Sequence, residues 1–215
     1  MIDDDMTCTI PDPLYRKLSP EKRVELAGKI RHLYFKGAHV TEETAGSVID
    51  LFGDLQLTHG IHVTSKWFAH YSSANNPLYI YFFTFASKFG LSFFFSTKNL
   101  KGAGHGEELS YVFRHHLFKN HPTLKQTARE QAMRETMVGL LSNFIKSGNP
   151  TPHNATVAAD TQKVNISWPA VHPGRMNYLE IGDELSVKKD FLKERMNFWD
   201  RVYRDTLGTP LYDFF

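Results

Sequence analysis

Apolar residues recur at three- and four-residue spacing along most of the chain, and in a few places they run together. Ser19-Pro20-Glu21 opens a first helix, with Ser as N-cap, Pro at the first helical position and an acid in the first turn. Leu26, Ile30, Leu33 and Tyr34 mark its apolar face, and Gly37 stops it. Thr41-Glu42-Glu43 caps a second helix through Val48, Ile49 and Phe52. Gly53-Asp54 breaks that helix, and Asp54 caps a third carrying Leu57, Ile61, Trp67, Phe68 and Tyr71.

After the turn Asn75-Asn76-Pro77 the spacing changes. Leu78 to Phe85 is apolar on both faces and rich in aromatic and β-branched residues, which predicts a central strand covered on both sides. A loop from Leu100 to Gly106 leads into a short helical pattern from Glu107 to Phe118. The clearest helix is Thr123 to Ser147, with Leu124, Ala128, Met133, Met137, Leu140, Leu141 and Phe144 on one side, ended by Gly148-Asn149-Pro150. Pro150 to Ser167 is polar and reads as a surface loop. Tyr178 to Ile181 and Leu185 to Val187 read as short strands, and Asp190 to Asp205 as a final amphipathic helix through Leu192, Met196, Trp199 and Tyr203. Many helices around few strands suggest one piece of a larger α/β fold.

Composition narrows the function classes. With 41% hydrophobic and 22% charged residues, the chain can bury a core. The net charge is only +2 and basic residues are scattered among acidic ones, so no nucleic-acid partner is expected. Cys8 is the only cysteine, which excludes an internal disulfide framework and a zinc site built on several thiolates. His115, His116 and His121 cluster without a cysteine or carboxylate at matching spacing, so no metal is expected there. Lys88 and Gly90 interrupt the most apolar stretch, and no membrane span is expected. Met1-Ile2-Asp3-Asp4-Asp5 has neither the basic nor the apolar region of a signal peptide.

The segment Gly102-Ala103-Gly104-His105-Gly106-Glu107-Glu108-Leu109 carries the chemistry. It fails as a G-x-G-x-x-G phosphate cradle, because Glu107 stands where the last glycine belongs and two acids would repel a pyrophosphate. Glycine neighbours instead free the backbone to aim the imidazole of His105 across a cleft.

His105 and the residues around it, read on through Ser110-Tyr111-Val112-Phe113, resemble the catalytic-histidine segment of the type-B carboxylesterases. These form the cholinesterase-like branch of the α/β-hydrolases. Leu51-Phe52-Gly53-Asp54, the helix Met137 to Pro150 with its Asn143-Phe144 and Gly148-Asn149-Pro150, Ser167-Trp168-Pro169, Tyr178-Leu179 and Phe198-Trp199 match in the same order. The likeness extends over residues 1–215 and is strongest towards arthropod carboxylesterases and juvenile hormone esterase-like proteins. It implies the C-terminal portion of an α/β-hydrolase fold, helix-rich and holding a few strands of a larger central sheet.

In that family chain order runs serine, acid, histidine. His105 would be the general base, Glu108 matches a position holding a buried carboxylate near the triad, and Gly104 and Gly106 would support the loop. No G-x-S-x-G occurs in the chain, so the nucleophile elbow and oxyanion glycines are expected upstream. Asp3, Asp4 and Asp5 lack the context of the family's acid and are not assigned that role. The implied activity is hydrolysis of small-molecule carboxylic esters by a full-length parent, without a cofactor. Two other readings stay open: a non-catalytic cholinesterase-like binding or adhesion protein, and an inactive truncated fragment.

Phe82, Phe83 and Phe85 stand where the family often has an arginine or other polar residue. With Phe89, Phe93, Phe94 and Phe95 they read first as core aromatics, and otherwise as the mouth of an apolar ester pocket. Asn154-Ala155-Thr156 and Asn165-Ile166-Ser167 are N-glycosylation acceptors in the polar loop. Together with the resemblance they point to a secreted, extracellular or endomembrane parent; the natural ester and the oligomeric state are left open.

Overall fold

A computed structural model describes residues 2–87, 89–90, 102–113, 126–152 and 166–208. They fall into two units, Met1–His70 with Phe191–Phe215, and Tyr71–Asp190.

The first unit is helical. A 3₁₀ turn at Met6–Thr9 and a single turn α1 (Asp12–Tyr15) lead into α2 (Pro20–Phe35). Ser19 caps α2 as its sequence predicts, its hydroxyl accepting from the Lys22 amide at 3.4 Å. Leu26, Ala27, Ile30, Tyr34 and Phe35 face a core shared with Met6, Ile10, Leu14, Leu51 and Trp199. α3 (Ala45–Gly53) starts later than Thr41, because Thr41 and Thr44 bond each other and leave Thr44 at the cap position.

Gly53-Asp54 does not break the helix. The chain continues through a π turn, Asp54–Thr58, into α4 (His59–Tyr71), and the His59 amide bonds back to the Asp54 carbonyl. Asp54 caps nothing; it is 1% exposed and accepts hydrogen bonds from Tyr34 Oη at 2.7 Å and Arg195 Nη2 at 3.0 Å. A π turn holds one extra residue, so the inward face steps from Leu51 and Asp54 to His59 and Val63. Leu57, Ile61, Phe68 and Tyr71, which form an apolar stripe in the sequence, are left 40–59% exposed.

Opposite α4 lies α7 (Lys193–Leu207), which presents Asp200. His59 Nε2 and His62 Nε2 meet its two oxygens at 3.1 and 3.2 Å, and Lys66 Nζ donates at 2.6 Å. An ionised carboxylate only accepts, so both rings carry their proton on Nε2. Burial alone would raise the Asp200 carboxyl, but bonds from His59, His62 and Lys66 outweigh it and hold it well below the usual range. A carboxyl lowered by folding adds stability above its unfolded pKa, and that stability is lost as pH falls below about 4. Asp200→Asn should therefore be clearly less stable than wild type near about pH 7, with the gap narrowing towards about pH 3 in urea titrations. A gap that stays constant over that range would refute the assignment.

In the second unit the predicted strand Leu78–Phe85 shrinks to β1 (Tyr81–Phe83), exposed at Tyr81 and half-buried at Phe82 and Phe83. The expectation of burial on both faces is corrected: among the described residues β1 pairs only with β2 (Asn177–Ile181), in parallel, Tyr81 opposite Leu179. The pairing ends where the Thr84 and Phe85 amides both donate to the Ile181 carbonyl, at 2.8 and 3.2 Å. β2 turns back into antiparallel β3 (Leu185–Lys189). Gly182 in that turn lies so near Thr84 that a Cβ would come within 2.8 Å of its hydroxyl oxygen.

Between β1 and β2 come α5 (Leu109–Val112) and α6 (Ala128–Ser147). α6 begins five residues after the predicted Thr123, at a capping box in which Thr127 and Glu130 bond reciprocally. It ends as predicted at Gly148, in the left-handed region with φ 70°. Met133, Met137 and Leu140 pack on Leu179 and Ile181, with Phe85, Phe89, Tyr111 and Trp168 completing the core. Phe85 and Phe89 are thus core aromatics, whereas Phe93, Phe94 and Phe95 lie outside the described residues. The helix predicted from Glu107 to Phe118 is corrected: it runs only from Leu109 to Val112 and is broken at Phe113, which is extended (φ −110°, ψ 153°). Asn154, Asn165, His115, His116 and His121 lie outside the described residues.

Candidate functional site

Beyond β1 the chain is tied to the second-unit core at three points. The Arg129 guanidinium lies 4.0 Å over the Phe85 ring, donates to the Ala86 carbonyl at 3.1 Å and pairs with Asp183 at 2.5 Å. Ser87 Oγ bonds Tyr111 Oη at 2.7 Å and accepts from the Phe89 amide at 2.9 Å. Burial pushes the Tyr111 phenol up to about 12, and the charges of Glu107 and Glu130 add to the rise while Ser87 opposes it. Glu130 is the other buried acid here; burial would raise it, but the hydroxyl and amide of Thr127 hold it low.

His105 sits on the turn that enters α5. The Glu107 amide donates to the Gly104 carbonyl at 3.2 Å, closing four residues around His105 and Gly106. Gly106 has φ 75° while His105 keeps a negative φ, the arrangement of a type II turn. Gly106 therefore supplies the one conformation that L residues resist, and His105 occupies the outward corner. Its side chain is exposed, as is Gly104.

The two acids that follow face different ways. Glu107 is completely buried, its charge felt at Tyr111. Glu108 is half-buried, and its charge adds to the burial that raises the Tyr81 phenol on β1. The fully buried carboxylate of this segment is thus Glu107, one residue before the family-matched Glu108. Nothing in the composition of Glu107-Glu108 separates the pair; the direction of the turn does.

Asp3 and Asp5, left unassigned from sequence, are engaged in the first unit. Asp3 pairs with Arg31 at 2.6 Å and His39 at 2.8 Å and accepts from the Val40 amide, bonds that hold its carboxyl well below the usual range. Asp5 caps the 3₁₀ turn through the Thr7 amide. Among the described residues no group of three or more His, Cys, Asp and Glu is arranged to hold a metal ion. None of the helices described is long and apolar enough to cross a membrane.

An exposed histidine on a glycine turn can act as a base toward a group brought to it from outside this segment. Residues 3–199 match the model of the carboxylesterase family. Juvenile hormone esterase of Heliothis virescens is 27% identical over 211 residues, covering 98% of this chain and 35% of that protein. Esterase B1 of Culex pipiens is 28% identical over 136 residues, covering 62% of this chain and 24% of that protein. The crystal structure of Manduca sexta juvenile hormone esterase, with OTFP covalently attached, superposes with TM-score 0.67 at 24% identity. That superposition covers 94% of this chain and 36% of the other, and the fold it shows is α/β-hydrolase. The chain thus spans about a third of the length of the Heliothis relative.

Proposed function

The chain belongs to the carboxylesterase family, and from that membership we propose that it supplies the general base of a serine esterase. One observation carries the proposal: the only segment matching the family's histidine motif presents His105 outward from a type II turn. In the full-length protein His105 takes the proton of a serine hydroxyl as its oxygen attacks the ester carbonyl. It returns that proton to the leaving alcohol and then activates water to release the acyl group. Gly104 and Gly106 shape the turn, and Glu108 supports it from the side of β1. The serine and its oxyanion hole come from outside these residues, which contain no G-x-S-x-G.

Hydrophobic carboxylic esters are the substrate class. The juvenile hormone esterases of Heliothis virescens and Manduca sexta make a juvenile-hormone-type ester the first natural candidate to assay. Asn154 and Asn165 are proposed as glycan acceptors of an extracellular parent.

The test is to express the full-length protein and assay p-nitrophenyl esters together with organophosphate labelling. Turnover and one label per chain are expected, whereas residues 1–215 alone should show neither. A full-length protein with no turnover, no label and a residue other than serine at the elbow would belong instead with the non-catalytic binding proteins of this fold.

A further inference from the structure

Glu107 does three things at once. Its amide closes the turn around His105, and its carbonyl accepts from the Ser110 amide at 3.2 Å as α5 begins. Its side chain is among the largest wholly buried ones of the described residues. Gly90 makes that seat possible: a Cβ there would overlap Glu107 Oε1 and Cδ and lie 3.0 Å from Oε2. A carboxylate in the open could swing aside, but one sealed in the core has no free volume to move into. Gly90 itself is buried, next to Phe89, whose amide donates to the Ser87 hydroxyl that also bonds Tyr111 Oη.

We infer that Glu107, seated in the space left by Gly90, is the positioning residue for His105. The side chain fixes the end of a four-residue turn, and the turn fixes the direction of the imidazole. The inference deepens the catalytic reading above and rests on it for its kinetic arm only. Contact with substrate is no part of this role; Glu107 acts through the backbone of the turn.

Two kinds of measurement test it. In the full-length protein, Gly90→Ala and Glu107→Ala should each lower kcat about tenfold or more per organophosphate-titrated site, with KM within about twofold. Counting active sites removes misfolded protein from the comparison, so a merely structural residue would not move that number. Once Glu107 is alanine, Gly90→Ala should cost less than about twofold further, because the clash is gone. Glu107→Gln keeps the shape and should retain kcat within about threefold; where alanine fails to fold, Glu107→Asp gives the same comparison with a shorter chain. In residues 1–215, the His105 imidazole resonance should shift in both alanine variants and stay near wild type in Glu107→Gln. Independent, multiplying effects of Gly90→Ala and Glu107→Ala, or a resonance moved by neither, would overturn the inference. If the wild-type protein hydrolyses no ester, the catalytic reading fails, while the resonance comparison still decides the positioning role.

Discussion

Replacing His105 by alanine should cut ester turnover by the full-length protein about 10⁴-fold or more while the protein stays folded. The size of the effect follows from the number of steps that need the base. Without it the serine proton has no acceptor during acylation, the alcohol leaves unprotonated, and water is not activated during deacylation. The small effect on folding follows from the position of the residue: the side chain is exposed, and the turn is held by the Gly104–Glu107 bond and by Gly106. Thermal melts should therefore shift by no more than a few degrees, about what ±0.5 kcal/mol produces. Turnover of a p-nitrophenyl ester within about tenfold of wild type would remove His105 from the mechanism.

How much of this could be read from the chain depends on how local each cause is. Ser19 and Gly148 act on amides a few residues away, so both ends are visible in the sequence. Leu51 and Asp54 are different. Gly-Asp is an ordinary helix-stop signal, yet here Asp54 is held inward by Arg195, 141 residues further on, and the helix continues through it as a π turn. That single turn also decides which side of α4 is buried. The stripe Leu57, Ile61, Phe68 and Tyr71 keeps its helical period but not its burial. In the second unit the ordered matches single out His105, and the structure places it, exposed, on the turn before α5. Which of the two following acids is buried is not legible there, because Glu107 and Glu108 differ only in which way the turn sends them. The strand Leu78–Phe85 shows the same limit: its aromatics match a central strand, but Thr84 and Phe85 both bond to the Ile181 carbonyl and close the ladder early.

Asp54 also carries the largest stability prediction. Trp199 Nε1 donates to Tyr34 Oη at 2.8 Å, Tyr34 Oη donates to Asp54, and Arg195 reaches Asp54 from α7 while its Nη1 pairs with Asp50 at 2.7 Å. One carboxylate thus joins α2, the π turn and α7 inside the first-unit core. Burial raises the Asp54 carboxyl, against the hydrogen bond from Tyr34 and the charge of Arg195, so the site is costly to ionise and depends on its partners. Asp54→Ala would leave the Tyr34 hydroxyl proton without its acceptor and Arg195 with the exposed Asp50 and the face of the Tyr34 ring. Removing one member of a buried pair typically costs about 3–5 kcal/mol, and a loss in that range is expected in urea titrations. Arg195→Met in the Asp54→Ala background should recover part of it, because the stranded charge is then gone while the side chain still packs. A loss below about 1 kcal/mol for Asp54→Ala would mean that water, not Asp54, satisfies these groups, and that the π turn has another cause.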